Sequence, residues 1–372
     1  MNGVAVPKAP VSSVEVVTDS ARLRELADAW SELWARCPEA GLFQSFEYCL
    51  DAWELVQEPQ GRRLACVAGW RGDQLVAVWP FVTYRNRRWT HARQLVASGV
   101  ELHEVLVDDD TVDRTAWVQE AWRALTAHAH VDIVDVSCFQ DSATAPALRS
   151  LPAHAVEENT TACVRVELAH EVEWDAFYNS LSKSHRKDWA KNRRRLAALG
   201  TVEFAVREAG DDRIGSLVDW TLAQKRQWAE HTGKKGEWLY SGHYRAFLER
   251  QLTAPGKGAR NLVLTLTLNG ELLAVQLGAL SKGRFEAVIA GFNADYVKFS
   301  PGAQLSEAMI RWAWEQGVDC DLGAGTEPYK TFWSRNRVVS ITNRSMAVSW
   351  RGVAAFAARR AVQQVRSRRT RS

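Results

Sequence analysis

The chain has 372 residues, 46% hydrophobic and 24% charged, with 10 prolines and a net charge of +3. That balance excludes a disordered, collagen-like or disulfide-framed chain, and the length fits two globular domains better than one. The charge is uneven: the segment 351–372 carries seven arginines (351, 359, 360, 366, 368, 369 and 371) and no acid, leaving 40 basic and 44 acidic residues elsewhere, a net −4.

Six cysteines, at 37, 49, 66, 138, 163 and 320, form no C-x-x-C pair and have no histidine at metal-ligand spacing. This pattern points to a reducing compartment and no metal site. Residues 1–13 lack a basic start followed by an apolar stretch, and no run approaches the roughly 18 apolar residues needed to span a bilayer. The expectation is a soluble, cytoplasmic protein.

In chain order, 14–18 alternates like a strand, and Asp19 caps a helix whose apolar residues Leu23, Leu26, Ala27, Trp30, Leu33 and Trp34 recur at helical spacing. A second helix covers 46–56. A hairpin follows, 64–70 and 74–84 about Arg71-Gly72-Asp73, then a helix over 111–128 and a buried strand over 131–136. After a loop with Pro146 and Pro152 the pattern predicts a strand at 163–168, a helix at 174–181 and a basic helix at 184–199 that ends at Gly200. Next come a strand at 202–206, helices at 217–228 and 243–252, and strands at 261–268, 272–280 and 285–291. A helix opening at Ser300-Pro301 and a strand at 318–322 close the series. The hairpin segments 73–78 and 270–275 align, each followed by strand, helix and strand. This order predicts a duplicated α/β (α+β) unit, residues 1–155 and 156–350, with a basic C-terminal helix or tail at 351–372.

The stretch 270–333 is richest in chemistry. Ser300 suits an N-cap and Pro301 a first helical position. The N–H groups of that helix start, beside small Gly302 and Ala303 and with Lys298 adjacent, are candidates to hold a pyrophosphate. The polar loop 323–330 follows the 318–322 strand, where sheet-borne sites usually open. Asp321 or Glu327 is the candidate base, Tyr329 the proton donor and Lys330 a phosphate or oxyanion contact. On the basic helix, Lys183, Lys187, Lys191 and Arg194 share a face, and Lys183, His185, Arg186 and Lys187 are candidate contacts to an anionic substrate. Of the 17 tryptophans most fall at core spacing; Trp228, Trp238 and Trp333 are candidates for an acceptor pocket.

Gly270 to Ala274, Gly291-Phe292, Asp295, Ser300-Pro301-Gly302, Leu305, Trp312-Ala313, Gly317, Asp321, Gly325, Glu327, Tyr329-Lys330 and Trp333 together resemble the acetyltransferase domain of the CelD/BcsL family. These are GNAT-superfamily proteins linked to cellulose and other exopolysaccharide synthesis. The resemblance extends to Leu181 through Lys187 and to Phe43-Gln44-Ser45. It implies tandem GNAT-like domains, each a twisted mixed sheet flanked by helices. It also implies a sheet that splays between 285–291 and 318–322, with acyl-CoA (acetyl-CoA) in the cleft as co-substrate, no metal, and an amine or hydroxyl acceptor on a sugar or polysaccharide precursor.

GNAT enzymes usually carry more than one glycine at the phosphate loop, whereas Gly302 stands alone beside Pro301, which has no N–H. Two other readings therefore stay open. One is a FemABX-like aminoacyltransferase, the only reading that brings in nucleic acid, as aminoacyl-tRNA. The other is a non-catalytic binding protein of a polysaccharide-synthesis complex. For the arginine-rich tail two readings stand, a contact with anionic membrane and a C-terminal helix ending in a solvated fringe, and the second is the expectation.

Overall fold

The computed structural model describes residues 11–98, 104–234, 236–254 and 256–369, with side chains described as far as 362. The N-terminal segment read above for a leader lies largely outside these residues, as do the side chains of Arg366, Arg368, Arg369 and Arg371.

The first half contains strands β1 (Ser13–Val17), β2 (Arg63–Leu64), β3 (Cys66–Arg71), β4 (Gln74–Trp79), β5 (Phe81–Asn86), β6 (Trp89–Gln94), β7 (Leu106–Val107) and β8 (Ile133–Phe139). Its helices are α1 (Ser20–Glu25), α2 (Ala27–Arg36), α3 (Phe46–Asp51), α4 (Arg114–Ala129) and α5 (Thr144–Arg149). The second half supplies β9 (Ala155–Val166), β10 (Val202–Arg207), β11 (Arg260–Leu268), β12 (Glu271–Ser281), β13 (Arg284–Phe292), β14 (Asp319–Ala324) and β15 (Val339–Ala347). Its helices are α6 (Trp174–Ser180), α7 (Lys183–Ala197), α8 (Ile214–Thr232), α9 (Gly242–Thr253), α10 (Pro301–Glu315), α11 (Pro328–Trp333) and α12 (Trp350–Arg369).

Local chemistry accounts for most of these boundaries. Asp19, Ser45, Asp113 and Ser241 accept backbone N–H groups as N-caps of α1, α3, α4 and α9. The run expected as one strand over 74–84 breaks at Pro80, which cannot donate to a ladder; β4 stays in one sheet and β5 passes into another. The segment read as loop before 163 contains α5 and the polar first part of β9, which has no apolar alternation and is held instead by antiparallel pairing with β15.

The strands form a four-stranded sheet, β1-β3-β4-β7, and an eleven-stranded sheet, β10-β11-β12-β13-β14-β9-β15-β8-β6-β5-β2. The two halves run through the same order: an edge strand, helices, an antiparallel hairpin, a further strand, a helix, and a strand. β1, β3, β4, β7, α4 and β8 correspond in order to β10, β11, β12, β13, α10 and β14. In the first half the corresponding β7 and β8 lie in different sheets; in the second, β13 and β14 stay joined by a three-residue parallel register.

The halves are not independent beads. β15 pairs with β8 as well as β9, and Phe356 and Ala355 of α12 bury against Ile133. Arg359 and Arg360 of the tail pair with Glu157 at 3.1 and 3.0 Å. One core joins α1–α3 to α8 and α9 on one face of the second-half sheet; another packs α6, α7, α10 and α11 on the opposite face.

A charged anchor fastens the halves at the β12–β13 turn. The Lys282 ammonium donates to the carbonyls of Trp34, Ala35 and Cys37 at 2.5, 3.1 and 2.6 Å, the open C-terminal end of α2, and lies 4.3 Å from the Trp34 ring centroid. Those carbonyls carry the negative end of the helix dipole. Lys282→Met should lower unfolding free energy by about 1–3 kcal/mol, the cost of leaving such acceptors unmet. Urea denaturation checks this, and Lys282→Arg should recover part of the loss.

Candidate active site

β13 and β14 pair in parallel only at Arg284–Asp319, Phe285–Cys320 and Glu286–Asp321; beyond that rung the strands part. Two residues past it, at Val288, β13 carries a bulge, where the β12 register shifts between Leu277/Ile289 and Gly278/Ala287. Bulges bend a strand and re-aim its backbone groups. Gln276, nearly buried, braces this one by donating to the carbonyls of Leu277 and Ile289 at 2.8 and 3.2 Å. The parting opens a cleft of about 820 Å³ whose walls include β13 from Glu286 to Phe292, β14 from Asp321 to Ala324, the start of α10, α8, and the first-half segments around Phe43 and Phe139.

Two carboxylates meet at the last shared rung. Asp321 Oδ2 accepts from Arg165 Nε at 2.9 Å and its Oδ1 from the Gly323 N–H at 2.8 Å, while the Arg165 guanidinium lies 3.7 Å from the Phe139 ring centroid. Glu286 is only 7% exposed; its Oε2 accepts from the Leu42 N–H at 2.6 Å and the Ser281 hydroxyl at 2.7 Å. Burial pushes its pKa up against those two donors, and the Asp321 charge pushes the same way. Gly41 leaves the room for this placement, since a Cβ at that position would overlap the Glu286 carboxylate and displace it.

All four proposed catalytic positions, Asp321, Glu327, Tyr329 and Lys330, line the cleft. Burial holds the Tyr329 phenol above its ordinary range, with the Glu327 charge acting in the same direction, so it stays protonated. Lys330 is 9% exposed and its ammonium is committed: it donates to the Ala324 carbonyl at 2.6 Å and sits 3.5 Å from Glu327 Oε2. Burial lowers its pKa against the raising effect of Glu327. Glu327 is pushed up by burial but held below the usual range by Lys330 and Lys234.

Ser300, Gly302 and Ala303 line the cleft, and exposed Lys298 does not. Ser300 is not a side-chain N-cap: its φ of 54° and ψ of 56° are left-handed, because the chain turns there from the 3-10 helix Ala294–Phe299 into α10. Its hydroxyl pairs with Asn192 Nδ2 at 3.2 Å. Its carbonyl takes the N–H groups of Ala303 and Gln304, so the first turn keeps the Gly302 N–H for a ligand.

Lys183, His185, Arg186, Lys187 and Trp333 are not brought into the cleft wall. Lys183, His185 and Lys187 are exposed on α7; Arg186 staples α7 to α6 through the Asn179 side chain and the Leu181 carbonyl. Trp333 is fully buried among Trp174, Phe177, Tyr178, Trp189 and Phe332. Trp228 and Trp238 do line the cleft.

Sequence reasoning passed over Glu286, Arg165, Gln276 and Lys225. A signal existed for Glu286, the one acid in the otherwise apolar run after Arg284. The six cysteines are buried and form no disulfide, and burial raises their thiol pKa values. Among the described residues no helix is long and apolar enough to cross a membrane, and no group of three or more His, Cys, Asp or Glu is placed to hold a metal ion.

Parting parallel strands, a bulge at the parting and a helix start across the gap make up the geometry of a known acyl-transfer fold. Residues 183–331 match the acetyltransferase (GNAT) domain family. The matched stretch runs from the start of α7 into α11. Over the whole chain the structure is similar to that of FemX, with a TM-score of 0.56 at 11% identity, covering 89% of this chain and 96% of that one. A tandem GNAT protein from the clavulanic acid biosynthesis pathway aligns with a TM-score of 0.51 at 12% identity, over 91% of this chain and 99% of that one. The C-terminal domain of a putative lysylphosphatidylglycerol synthetase from Agrobacterium fabrum aligns at 0.51 and 12% identity, over 90% and 95%. At these identities the likeness establishes the tandem fold. No curated protein matches the chain in sequence.

The raised pKa of Glu286 has a sign in stability. A carboxyl whose folded pKa exceeds its unfolded value near 4.5 destabilises the native state once it ionises. The penalty is absent at low pH, grows as pH rises through the interval between those values, and is complete above the folded pKa. Glu286→Gln should therefore melt at or above the wild-type temperature at pH 7–8 and lose that advantage near pH 4. Melting curves across this range test it; a variant that melts well below wild type at pH 8 would make Glu286 a structural strut.

Proposed function

We propose that the protein transfers an acyl group from an acyl-CoA thioester to an amine or hydroxyl acceptor, with a sugar or polysaccharide precursor as the acceptor class that the CelD/BcsL resemblance favours. The observation that carries this reading is the parting of β13 and β14, which frees a strand edge directly above two carboxylates and opposite the α10 start. An extended pantetheine arm needs such an edge to pair with, and the Gly302 N–H with the α10 dipole provides the place for phosphate.

In this scheme the acceptor nucleophile attacks the thioester carbonyl and its proton passes to Glu286, whose elevated pKa makes it a stronger base than an ordinary carboxylate. Backbone N–H groups of the β13 bulge stabilise the oxyanion. The C–S bond then breaks, and the leaving thiolate takes a proton from the Tyr329 phenol. Asp321, tied to Arg165 and Gly323, is better suited to hold the rung than to move a proton. Lys330, tied to Ala324, shapes the loop that carries Tyr329.

Among its described residues the first half shows no second donor site of this kind. Its corresponding helix, α4, opens on Asp113, whose carboxylate accepts the Ala116 N–H at 3.0 Å and would repel a phosphate. Its contribution is the acceptor wall and the Leu42 N–H that holds Glu286.

The sparse N–H supply at α10 favours keeping the aminoacyl-tRNA donor as a second reading. The two separate by experiment. Saturation with acyl-CoA at about 100 times its dissociation constant should stabilise the fold by roughly 2.7 kcal/mol. No stabilisation by millimolar CoA or acyl-CoA, with activity that requires charged tRNA, would replace the first reading by the second.

Gly302→Val tests the phosphate seat. A Cβ at Gly302 would meet nothing closer than Phe292 at 3.6 Å, so folding should be unaffected while the CoA dissociation constant rises at least about tenfold, a cost of ~1.4 kcal/mol. Tyr329→Phe should act mainly on kcat, since it removes only the transferable proton. Glu286→Gln should lower kcat/KM by roughly 10²–10⁴-fold and abolish the acidic limb of its pH profile, which in the wild type should lie above the ordinary carboxylate range.

A further inference from the structure

The wall of the cleft formed by α8 and the loop after it holds a group of ammoniums that the chemistry above leaves unused. Lys225 Nζ lies 3.9 Å from the Trp228 ring centroid and Lys234 Nζ 4.7 Å from the same ring. Lys234 also approaches Glu327 Oε1 at 3.6 Å, while Lys330 approaches Oε2 at 3.5 Å. All five side chains line the cleft. Two ammoniums thus share one carboxylate and a third, Lys225, stands beside them, an excess of two positive charges. Among the described residues Lys225 has no carboxylate within 4.0 Å, and its ammonium rests on the Trp228 face.

Uncompensated charge in a partly desolvated wall is unfavourable unless a ligand neutralises it. We propose that Lys225, Lys234 and Lys330 form the seat for an anionic group, a carboxylate or a phosphate, on the acceptor. The word acceptor rests on the acyltransferase reading; the anion does not. α8 packs on the face of the second-half sheet opposite α10, so Lys225 and Lys234 lie across the parted strands from the Gly302 helix start. The first-half wall is unsuited to an anion, because Glu39, Glu104, Asp109 and Asp141 outnumber Arg114 there. An acceptor with its anion on Lys225 is thereby oriented, and its nucleophile is left to reach Glu286.

The cluster also has a measurable signature. Burial, then the charge of Lys330, brings the Lys225 pKa down to about 8. The groups that act on it are Lys330 and Lys234, which lower it, and Glu327, which raises it. An anion bound on Lys225 favours the ammonium and must raise that value.

The test follows Lys225 itself. The whole chain is reductively methylated with carbon-13 formaldehyde, the Lys225 dimethyl resonance is assigned by its loss in Lys225→Arg, and its titration is recorded in chloride, inorganic phosphate and acetate at matched ionic strength, with and without saturating CoA. The expected result is a rise of about one pKa unit in phosphate, a tenfold preference for the charged form, that persists with CoA bound. A matching rise in acetate assigns a general carboxylate or phosphate seat; a rise in phosphate alone assigns a phosphate. No rise in either anion overturns the proposal. If CoA alone raises the value and phosphate then adds nothing, the seat belongs to the donor and the proposal also falls. A phosphate response in a protein that never binds CoA retains the anion seat and removes the acyl-CoA reading instead. On unmethylated protein, calorimetry with inorganic phosphate should weaken at least tenfold in Lys225→Met and be unchanged in Lys257→Met, whose lysine pairs with Asp28 elsewhere; equal affinity in the two variants would sink the seat.

Discussion

Two charged groups of one hairpin, Lys282 at its turn and Glu286 five residues from Ser281, take their partners from the backbone of the other half of the chain. The ammonium is met by the carbonyl end of α2, and the carboxylate by the Leu42 N–H a few residues further on. Burial disfavours the charged form of both side chains, lowering the pKa of one and raising that of the other. Charges desolvated in this way are tolerated only with good partners, and here the partners exist only when the halves are docked. The docking of the halves and the state of the carboxylate in the cleft are therefore one physical problem.

The cleft follows from incomplete pairing in a duplicated topology. A sheet edge left open inside a protein would strand N–H and C=O groups, a cost that folded proteins avoid. In the first half the corresponding strands lie in separate sheets. In the second, three rungs of parallel pairing survive before the strands diverge, and the divergence is stabilised by particular side chains: Gln276 on the bulge, Asp321 on the Gly323 N–H, Lys330 on the Ala324 carbonyl. What remains unpaired faces the cleft.

Charge is partitioned along that cleft. The last common rung carries Glu286 and the Arg165–Asp321 pair, the α8 wall carries an excess of lysine, and the first-half wall an excess of acid. This division does not appear in a net charge of +3 and does not come from the arginine-rich tail, whose described members Arg351, Arg359 and Arg360 pair with Asp132 and Glu157.

The sequence by itself determined the local elements and their order. Apolar period, cap residues and turn residues place β10 through β14 and the helices between them to within a few residues, because those signals act between near neighbours in the chain. They also placed the loop with Glu327, Tyr329 and Lys330 beside the end of β14. The tertiary structure alone decided which of the polar residues share a space. The polar first part of β9, and β15, become strands by pairing with each other, not by any alternation of their own. Arg165 reaches Asp321 across 156 residues and Leu42 reaches Glu286 across 244. The basic face of α7 turns outward and Trp333 turns into an aromatic core, although both look like binding residues in the sequence. Periodicity records which face of an element is apolar, and it carries no information on what that face, or the polar one, will meet.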